Sequence, residues 1–381
     1  MASIRKITPT YRAADGTIRE SKPVWQAQYR DDDGKQHRRN FDRKVDAQAW
    51  LDEVTTARNT GTYADPRAGR ATVGQVAEGW LTNPRWSETT SERNAGIVRV
   101  HILPRWGKTP VAKVTHDGVQ EWVNELVESG LSGGSVRKVH GALSGILGRA
   151  VKSKRVAVNA AKDVDLPKQA LKARRYLSAR EVEDLAGAAG DDRDVVLVLA
   201  YCGLRFGELA ALRVRQVDQL RRRLTVESSV TEVNGKLVWS TPKDHQRRTV
   251  PYPPFLDAAI TARIAGKGLD DLVFTSHRGE TLRVRNVRRD WFDAAARDTV
   301  GAVTPHELRH TCASLAVAGG ASVLALQRML GHAKASMTLD VYADLFDTDL
   351  DDVAANLARL REHSLSTVDD PTNVVSLVVG L

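Results

Sequence analysis

The sequence predicts a multidomain α+β protein in which three domains follow one another along the chain. It has 381 residues, and a single hydrophobic core rarely extends beyond about 250–300 residues. Two stretches that combine helix breakers with polar or basic residues, 60–71 and 161–177, are typical of linkers. We therefore expect a small β-sheet-plus-helix domain at 1–65, a four-helix domain at 66–165, and a mainly helical domain with a small antiparallel sheet at 166–381.

The first predicted domain is a small sheet followed by one helix. Residues 24–30 alternate apolar and polar side chains, which is the pattern of a half-buried strand. The turn signal Asp31-Asp32-Asp33-Gly34 precedes residues 35–41, which we interpret as the returning strand. A further strand is expected at 3–8, and the apolar spacing over 44–58 predicts the helix.

Basic residues surround this predicted hairpin, namely Arg30, Lys35, Arg38 and Arg39. They are compatible with an ordinary solvated face. They are equally compatible with a sheet that enters a DNA groove, since a two-stranded ribbon fits the major groove. The residues alone favour neither interpretation.

The second predicted domain consists of four helices. Thr72 is a candidate N-cap, and further helices fit 88–102, 115–128 and 135–153, which glycine and proline separate. The last helix carries basic residues, and the candidate DNA contacts among them are Arg137, Lys138, Arg149 and Lys152. Such a stripe suits phosphate contacts, although an exposed polar face has a similar composition.

The third predicted domain begins at the capping box Ser178-Ala179-Arg180-Glu181. The apolar run 195–201 predicts a buried helix, and strands with a turn at Asn234-Gly235 follow between about 224 and 250. A mainly helical pattern then extends to about residue 362. The last stretch, 374–381, is apolar and β-prone, and we expect it to add a strand to a sheet, either of the same chain or of a neighbouring subunit.

The charge distribution favours a polyanionic partner. Lys and Arg outnumber Asp and Glu by 56 to 47, with a net charge of +8 in residues 1–165, +8 in 166–339 and −7 in the remainder. A basic body of this kind attracts nucleic acid.

No apolar run approaches the roughly 18–20 residues of a membrane span, and no apolar segment follows the first residues as in a signal peptide. We therefore expect a cytoplasmic protein, in which Cys202 and Cys312 are buried thiols.

Four segments of the third domain carry side chains suited to chemistry, and they are 202–209, 241–248, 306–310, and 330–332 with Tyr342. The third segment, His306-Glu307-Leu308-Arg309-His310, fits the H-E-x-x-H pattern of zinc proteases. Such a site requires a third protein ligand. However, Ala313 and Ala316 stand where the longer metal motif has Gly and His, and no further Glu occurs before Glu362. Zinc hydrolysis is therefore the weaker alternative, and no metal site is predicted.

Phosphoryl transfer without a metal is the other chemistry that these residues suit. The non-bridging oxygens of a phosphodiester need positive charge, which Arg205 and Arg309 can supply as planar, protonated donors. Tyr342 is the candidate nucleophile, since a phenol can form a covalent phosphotyrosine. Its ordinary pKa of about 10 means that it needs a base, for which His306 is the candidate.

Two further donors complete the predicted set. Lys243 is the candidate acid that protonates the leaving 5′-oxygen, and His332 can donate a hydrogen bond to the phosphate. A single surface Arg or Tyr is usually structural, whereas six such positions in this order are far more specific.

Together these segments resemble the tyrosine recombinase family, and specifically its phage-type, lambda-integrase-like members. Gly203-Leu204-Arg205 with Gly207-Glu208-Leu209 is similar to the family's first-arginine motif, and Lys243 is similar to its β-hairpin lysine. His306-Glu307-Leu308-Arg309-His310-Thr311 resembles the H-x-x-R box. Leu330-Gly331-His332 and Tyr342 resemble the closing histidine and the nucleophile. The hairpin-plus-helix N-terminus resembles the arm-binding domain of larger integrases.

The resemblance implies an enzyme that cuts one DNA strand at a time, stores the bond as a 3′-phosphotyrosine and rejoins it without cofactor, ATP or metal. It implies that Arg205, Arg309 and His332 bind the scissile phosphate and that Tyr342 is the nucleophile. His306 would accept the proton of the tyrosine, and Lys243 would protonate the leaving group. Glu208 and His310 would support these residues. It also assigns arm-type DNA binding to 1–65, core-site binding by a SAM-like domain to 66–165, and catalysis to 166–381.

The resemblance further implies partners and a role. The middle and catalytic domains would enclose double-stranded DNA, and four protomers would meet at the synapse, where the C-terminal apolar segment would pack in trans. A host DNA-bending protein and an excision factor would assist. The expected role is integration of phage or mobile-element DNA into a host chromosome, at the nucleoid. A chromosome-dimer resolvase, a transposon recombinase and a DNA-binding regulator with a degenerate recombinase fold are the alternatives, and the extra N-terminal domain favours phage integration.

Overall fold

The computed structural model describes most of the chain. The described residues are 2–12, 14, 16–31, 34–60, 63, 68–169, 174–241, 247–343, 357–359 and 361–362. The chain forms two compact units, Met1–Leu171 and Lys172–Leu381. Within these described ranges, no helix is both long enough and apolar enough to cross a membrane. The expected division into three domains stays a prediction.

The first unit begins with five strands and a helix. They are β1 (Ser3–Ile7), β2 (Thr10–Arg12), β3 (Ile18–Glu20), β4 (Val24–Arg30), β5 (Gln36–Phe41) and α1 (Lys44–Asn59). An antiparallel sheet has the order β1-β4-β5, while β2 and β3 form a separate hairpin. The strands predicted at 3–8, 24–30 and 35–41 and the helix predicted at 44–58 are confirmed, whereas the β2–β3 hairpin was not predicted.

One face of this sheet packs against α1. Ala27 and Tyr29 of β4 form a buried cluster with Ala47 and Leu51 of α1. Because successive side chains of a strand point to opposite faces, the residues between them lie on the other, open face of the sheet.

Five helices follow in the first unit. They are α2 (Val73–Leu81), α3 (Glu88–Ile97), α4 (Leu103–Trp106), α5 (His116–Glu128) and α6 (Gly133–Lys152), and a π-helical turn, Val98–Ile102, joins α3 to α4. Ser or Thr side chains cap four of these helices by accepting a hydrogen bond from a backbone N–H three residues later; the caps are Thr72, Ser87, Thr115 and Ser132. The helices enclose a core to which α6 contributes Leu143, Ile146 and Leu147.

The second unit is mainly helical, as predicted. Its first helices are α7 (Ala179–Ala188), α8 (Arg193–Cys202) and α9 (Phe206–Ala210). Its strands are β6 (Val217–Asp218), β7 (Arg223–Val226), β8 (Ser229–Val233), β9 (Lys236–Ser240) and β10 (Arg248–Pro251). The remaining helices are α10 (Asp257–Ile264), α11 (Val284–Val287), α12 (Asp293–Thr299), α13 (Pro305–Ala318), α14 (Val323–Leu330) and α15 (Ala335–Tyr342), and a π-helical turn, Arg288–Phe292, joins α11 to α12.

The core of the second unit surrounds α8, which is buried as its apolar run predicts. The order β10-β7-β6 forms one antiparallel sheet, and β8 pairs with β9 around the predicted Asn234-Gly235 turn. Both free cysteines are buried. The strand predicted at 374–381 lies outside the described residues.

Two glycines end helices at the points where candidate site residues follow. Gly203 ends α8 with φ 63°, and Gly331 ends α14 with φ 67°, both in the left-handed region that favours glycine. A Cβ atom at Gly331 would lie 2.7 Å from the side chain of Arg248. The two turns therefore require glycine, and they fix the backbone that leads to Arg205 and His332.

Candidate active site

Helix α13 presents three of the candidate residues on one side. His306, Arg309 and His310 are spaced i, i+3 and i+4, which places their side chains on one face of a helix, and the two imidazole centroids are 5.0 Å apart. Glu307 accepts a hydrogen bond at 2.6 Å from the backbone N–H of Thr304 and thereby caps the helix. Among the described residues, no three His, Cys, Asp or Glu side chains are grouped as metal ligands would be.

Arg309 ties three segments of the second unit together. It is 3% exposed, and its guanidinium donates to the carbonyl of Gly203 at 2.6 Å and to that of Leu330. Since these carbonyls lie at the ends of α8 and α14, one buried cation holds both glycine turns against α13. Burial, together with the charge of Arg205, lowers the pKa of Arg309 to about 10, which leaves it protonated at neutral pH.

Arg205 and Arg248 share one buried carboxylate. Glu208 accepts from Nη1 of Arg205 at 2.9 Å and from its backbone N–H at 2.8 Å. Arg248 donates to both oxygens of Glu208, at 2.9 and 2.6 Å, and its Nε donates to the carbonyl of Met329 at 3.2 Å. Burial disfavours the ionised carboxylate, but the hydrogen bonds and charges of Arg248 and Arg205 hold the pKa of Glu208 below its ordinary value. The side chain of Arg205 remains 36% exposed.

Tyr342 lies at the end of α15, with its hydroxyl turned toward α13. Tyr342 is 1% exposed, and its Oη lies 2.8 Å from Nδ1 of His310. The ring of His332 is parallel to the phenol ring, with centroids 6.5 Å apart, and its Nδ1 lies 2.9 Å from Oγ1 of the buried Thr338. The phenol is therefore placed between two histidines.

The protonation states of these groups follow from burial and from the surrounding cations. Burial raises the pKa of Tyr342 to about 12, although the charges of Arg309 and Arg174 oppose this shift. Burial lowers the pKa of His310 to about 4, with His306 and Arg174 acting in the same direction. Burial, Arg309 and Arg205 likewise lower the pKa of His332 to about 4. At pH 7 the phenol is thus protonated and both imidazoles are neutral.

The structure brings together five of the six predicted catalytic residues, and these are Arg205, His306, Arg309, His332 and Tyr342. Lys243 lies outside the described residues. The neighbour of the Tyr342 hydroxyl differs from the expectation, because His310 and not His306 makes this contact. Partial burial lowers the pKa of His306, and the charges of Arg309 and Arg205 act in the same direction.

Sequence reasoning did not identify Arg248, although a signal for its position exists. Val250 is fully buried on β10, and the period of two along a strand places Arg248 on the same, inward face. Arg247 points the other way, with a side chain that is 72% exposed and paired with Glu227. The adjacent Arg-Arg pair thus contains one residue of the site and one surface residue.

The open face of the N-terminal sheet is a hydrogen-bonded layer of amides and guanidinium groups. Its members lie in register across the three strands and include Arg5, Gln26, Gln28, Gln36, Arg38 and Asn40. Arg30 also lies on this face, opposite Gln36 on β5, and Lys35 follows the turn. Arg39 differs, because it pairs with Ala27 on the helix-covered face and lies over the ring of Phe41 at 5.1 Å.

The basic candidates on α6 are all exposed, and they are Arg137, Lys138, Arg149 and Lys152. Nε of Arg137 donates to the carbonyl of Pro167 at 2.9 Å and so holds the chain that follows the helices. Arg149 and Lys152 line a depression beside α2, together with Gln75 and Arg155. Three cations therefore border one concave surface of the first unit.

Comparisons with known proteins agree with this arrangement. The sequence profile described as "Phage integrase family" matches residues 175–349, and that of "Phage integrase, N-terminal SAM-like domain" matches residues 72–127. The integrase of Mycobacterium phage D29 is 27% identical over 320 residues, which cover 79% of this chain and 84% of the relative. The putative prophage phiRv2 integrase of Mycobacterium tuberculosis is 27% identical over 370 residues, which cover 91% of this chain and 96% of the relative.

The predicted fold class is confirmed by similarity to solved structures. The Tn1549 transposon integrase in complex with a circular intermediate DNA has a TM-score of 0.64 at 20% identity, covering 76% of this chain and 99% of that chain. A lambda integrase tetramer bound to a Holliday junction has a TM-score of 0.58 at 18% identity, covering 87% of this chain and 97% of that one. With the two profile matches, the protein falls in the class of the tyrosine recombinases. Within this class, the chain belongs to the phage integrase family.

Proposed function

We propose that the protein is a site-specific recombinase that cleaves and rejoins DNA strands through a covalent 3′-phosphotyrosine. The observation that carries this proposal is the contact of the Tyr342 hydroxyl with the neutral His310, beside the buried Arg309. A nucleophile, an acceptor for its proton and a fixed positive charge therefore lie together.

The scissile phosphate would bind at the exposed edge of Arg205. Its guanidinium is held by Glu208, and the charge of Arg309 lies behind it, so both can neutralise the non-bridging oxygens as negative charge develops. His332 can add a hydrogen bond. If the Thr338 hydroxyl donates to Nδ1 of His332, the ring proton is on Nε2, which is the tautomer that donates to a phosphate.

The proposed reaction exchanges one phosphate ester for another. His310 accepts the phenolic proton, the Tyr342 oxygen bonds to phosphorus, and the bond between phosphorus and the 5′-oxygen breaks. The resemblance to the family assigns the proton of the leaving oxygen to Lys243. Attack by the 5′-hydroxyl of a second strand reverses these steps, restores the phenol, and consumes no cofactor or ATP.

A movement of Tyr342 belongs to this mechanism. The residue is 1% exposed and its hydroxyl is directed at His310, whereas attack requires the oxygen to reach phosphorus. The phenol must therefore turn toward the phosphate after, or while, it loses its proton.

DNA contacts outside the catalytic residues are proposed for both parts of the first unit. The open face of the N-terminal sheet offers amide and guanidinium donors that match base edges in the major groove, and we assign arm-type binding by residues 1–65 to it. The exposed cations of α6 suit the phosphates of the core site, which residues 66–165 would bind. Residues 166–381 would then form the catalytic domain.

Membership of the family supports a proposed role in the integration of phage or mobile-element DNA. The protein would act as a homotetramer on double-stranded DNA, in the host cytoplasm at the nucleoid. A host DNA-bending protein and an excision factor are the accessory partners that the family implies. The alternatives within the class remain a transposon recombinase and a chromosome-dimer resolvase. The tyrosine recombinase XerC of Natranaerobius thermophilus is 26% identical but covers only 59% of this chain, whereas the prophage relative covers 91%, which favours the phage-type role.

The test is to trap the covalent complex. Duplexes are first selected from a random-sequence library with the Tyr342→Phe variant, and the selected duplex is then nicked near the candidate cleavage position so that cleavage releases a short fragment. The wild-type protein should form a denaturant-stable adduct that peptide mapping locates at Tyr342, and Tyr342→Phe should bind the duplex equally well without forming it. An adduct on another residue, or one formed by Tyr342→Phe, would refute the proposal.

A further inference from the structure

The chain enters the second unit through residues 174–177, which lie against the nucleophile helix. The guanidinium of Arg174 donates to the backbone carbonyl of Val341, the residue before Tyr342. Tyr176 packs against the apolar cluster that contains Tyr342. The backbone N–H of Leu177 donates at 3.1 Å to the hydroxyl of Thr311, which is fully buried on α13. This short segment therefore contacts the two helices that carry the nucleophile and its proposed base.

The end of α15 receives a hydrogen-bond donor from outside the helix. The last carbonyls of a helix have no partner within it, and among the described residues Arg174 donates to one of these carbonyls, that of Val341. Lys334 at the N-cap has no acceptor in its side chain with which to cap the other end. A helix as short as Ala335–Tyr342 is marginal without tertiary support, so a donor from outside the helix at its last turn stabilises it.

We propose that Arg174 is a positioning residue that caps the carboxyl end of the nucleophile helix and so fixes the place from which Tyr342 attacks. This inference rests on the proposed function of Tyr342. A cation near the end of a helix also interacts favourably with the partial negative charge there. Arg174 bonds to backbone, so the phenol can turn toward a phosphate while the helix end stays in place.

The charge of Arg174 supports the same role. Burial raises the pKa of Tyr342, and Arg174 is one of two arginines, with Arg309, whose charge opposes that rise. Arg309 is itself buried and bound to two carbonyls of the second unit. Arg174 thus places a positive charge near Tyr342 from the segment that leads into the second unit. This segment contains none of the motifs that carry the family resemblance.

The test compares Arg174→Ala with Arg175→Ala and Arg174→Lys. Arg175 is the matched control, because its guanidinium bonds to Glu181 and not to α15. Single-turnover cleavage of the nicked duplex by full-length protein should be about 10–100-fold slower for Arg174→Ala, while its affinity for the duplex stays within about twofold. Arg175→Ala should match the wild type, and Arg174→Lys should recover part of the lost rate, since it keeps a cationic donor.

A second measurement separates this inference from the proposed function. Without DNA, amide hydrogen exchange at the end of α15 should be about tenfold faster in Arg174→Ala, while exchange in α13 is unchanged. Wild-type cleavage together with unchanged exchange and rate in Arg174→Ala would overturn the capping role alone. Faster cleavage by Arg174→Ala would also overturn it, since the contact would then restrain the nucleophile. Absence of any wild-type adduct would instead refute the proposed function.

Discussion

The hydroxyl of Tyr342 and Nδ1 of His310 lie 2.8 Å apart, and Tyr342 is buried in an apolar cluster with Ala313 of α13 and Leu330 of α14. The imidazole has a pKa of about 4, because burial and neighbouring positive charges disfavour its protonated form. It is therefore a weak base, but it is available in its neutral form throughout the physiological pH range. This relationship gives cleavage a pH dependence that distinguishes His310 from His306.

The first prediction concerns the base. Wild-type cleavage of the nicked duplex should be nearly independent of pH between about 5.5 and 9, because His310 is already neutral. His310→Ala should cleave about 100-fold more slowly at pH 7. Its rate should rise about tenfold per pH unit, since the phenol, with a pKa near 12, must then ionise into solvent.

The matched control for this prediction is His277→Ala. The side chain of His277 is 74% exposed, and its removal should leave the profile unchanged. If His306→Ala acquires the steep pH dependence and His310→Ala does not, His306 is the base and the observed contact is not the reacting one.

The second prediction concerns the buried carboxylate. Arg248→Ala should lower the free energy of unfolding by about 3–5 kcal/mol, because it removes both hydrogen bonds from Arg248 to the buried Glu208 as well as the bond to the carbonyl of Met329. Arg247→Ala should change it by less than about 1 kcal/mol, since Arg247 is exposed. Urea denaturation measures both. In a double-mutant cycle, Glu208→Gln with Arg248→Ala should cost less than the two single changes combined, and strict additivity would contradict the ion pair.

The third prediction is a loss of stability at mildly acidic pH. His310 and His332 each have a pKa of about 4 in the folded protein and about 6.5 when unfolded. Below pH 6.5 the unfolded chain therefore binds protons that the folded chain does not, so the free energy of unfolding should fall between pH 6.5 and 4.5. We expect about 1–2 kcal/mol from each imidazole after allowance for solvent screening.

Urea midpoints at pH 7 and pH 4.5 measure this effect. The double variant His310→Gln/His332→Gln should show a clearly smaller difference between the two pH values, whereas His116→Gln, on the exposed start of α5, should not. Some dependence will remain, because burial also lowers the pKa values of His140 and His306. An unchanged difference in the double variant would assign the acid sensitivity to other groups.

Much of the site could be predicted from the sequence, because its residues occur in motifs with fixed local geometry. The spacing of His306, Arg309 and His310 determines that they share a helix face. Whether His306 or His310 contacts Tyr342 depends on where the packing of α14 and α15 places the phenol relative to α13, which no local pattern encodes. Arg248 was missed for a similar reason, since its partners Glu208 and Met329 are 40 and 81 residues away.

The fold was predictable where burial imposes a period on the sequence. The strand 24–30 alternates because Ala27 and Tyr29 are buried against α1. The hairpin of β2 and β3 has no such pattern, because every residue of both strands is exposed. The DNA-contact candidates could not be ranked from the sequence for a similar reason. Arg38 and Arg39 are adjacent and chemically identical, and only the register of the strand shows that they lie on opposite faces of the sheet.

The fourth prediction concerns Arg38 and Arg39, which lie on opposite faces of the N-terminal sheet. Arg38 lies on the open face of the sheet, where it donates to Gln36 at 2.8 Å, whereas Arg39 lies on the helix-covered face beside Phe41. If the open face enters the major groove, Arg38→Ala should weaken binding to the duplex preferred by residues 1–65 by about 1–3 kcal/mol and relax its sequence preference. Arg39→Ala should have a smaller effect that is uniform across sequences. Fluorescence anisotropy over a series of salt concentrations measures both variants, and equal losses for the two would show that the sheet does not bind through its open face.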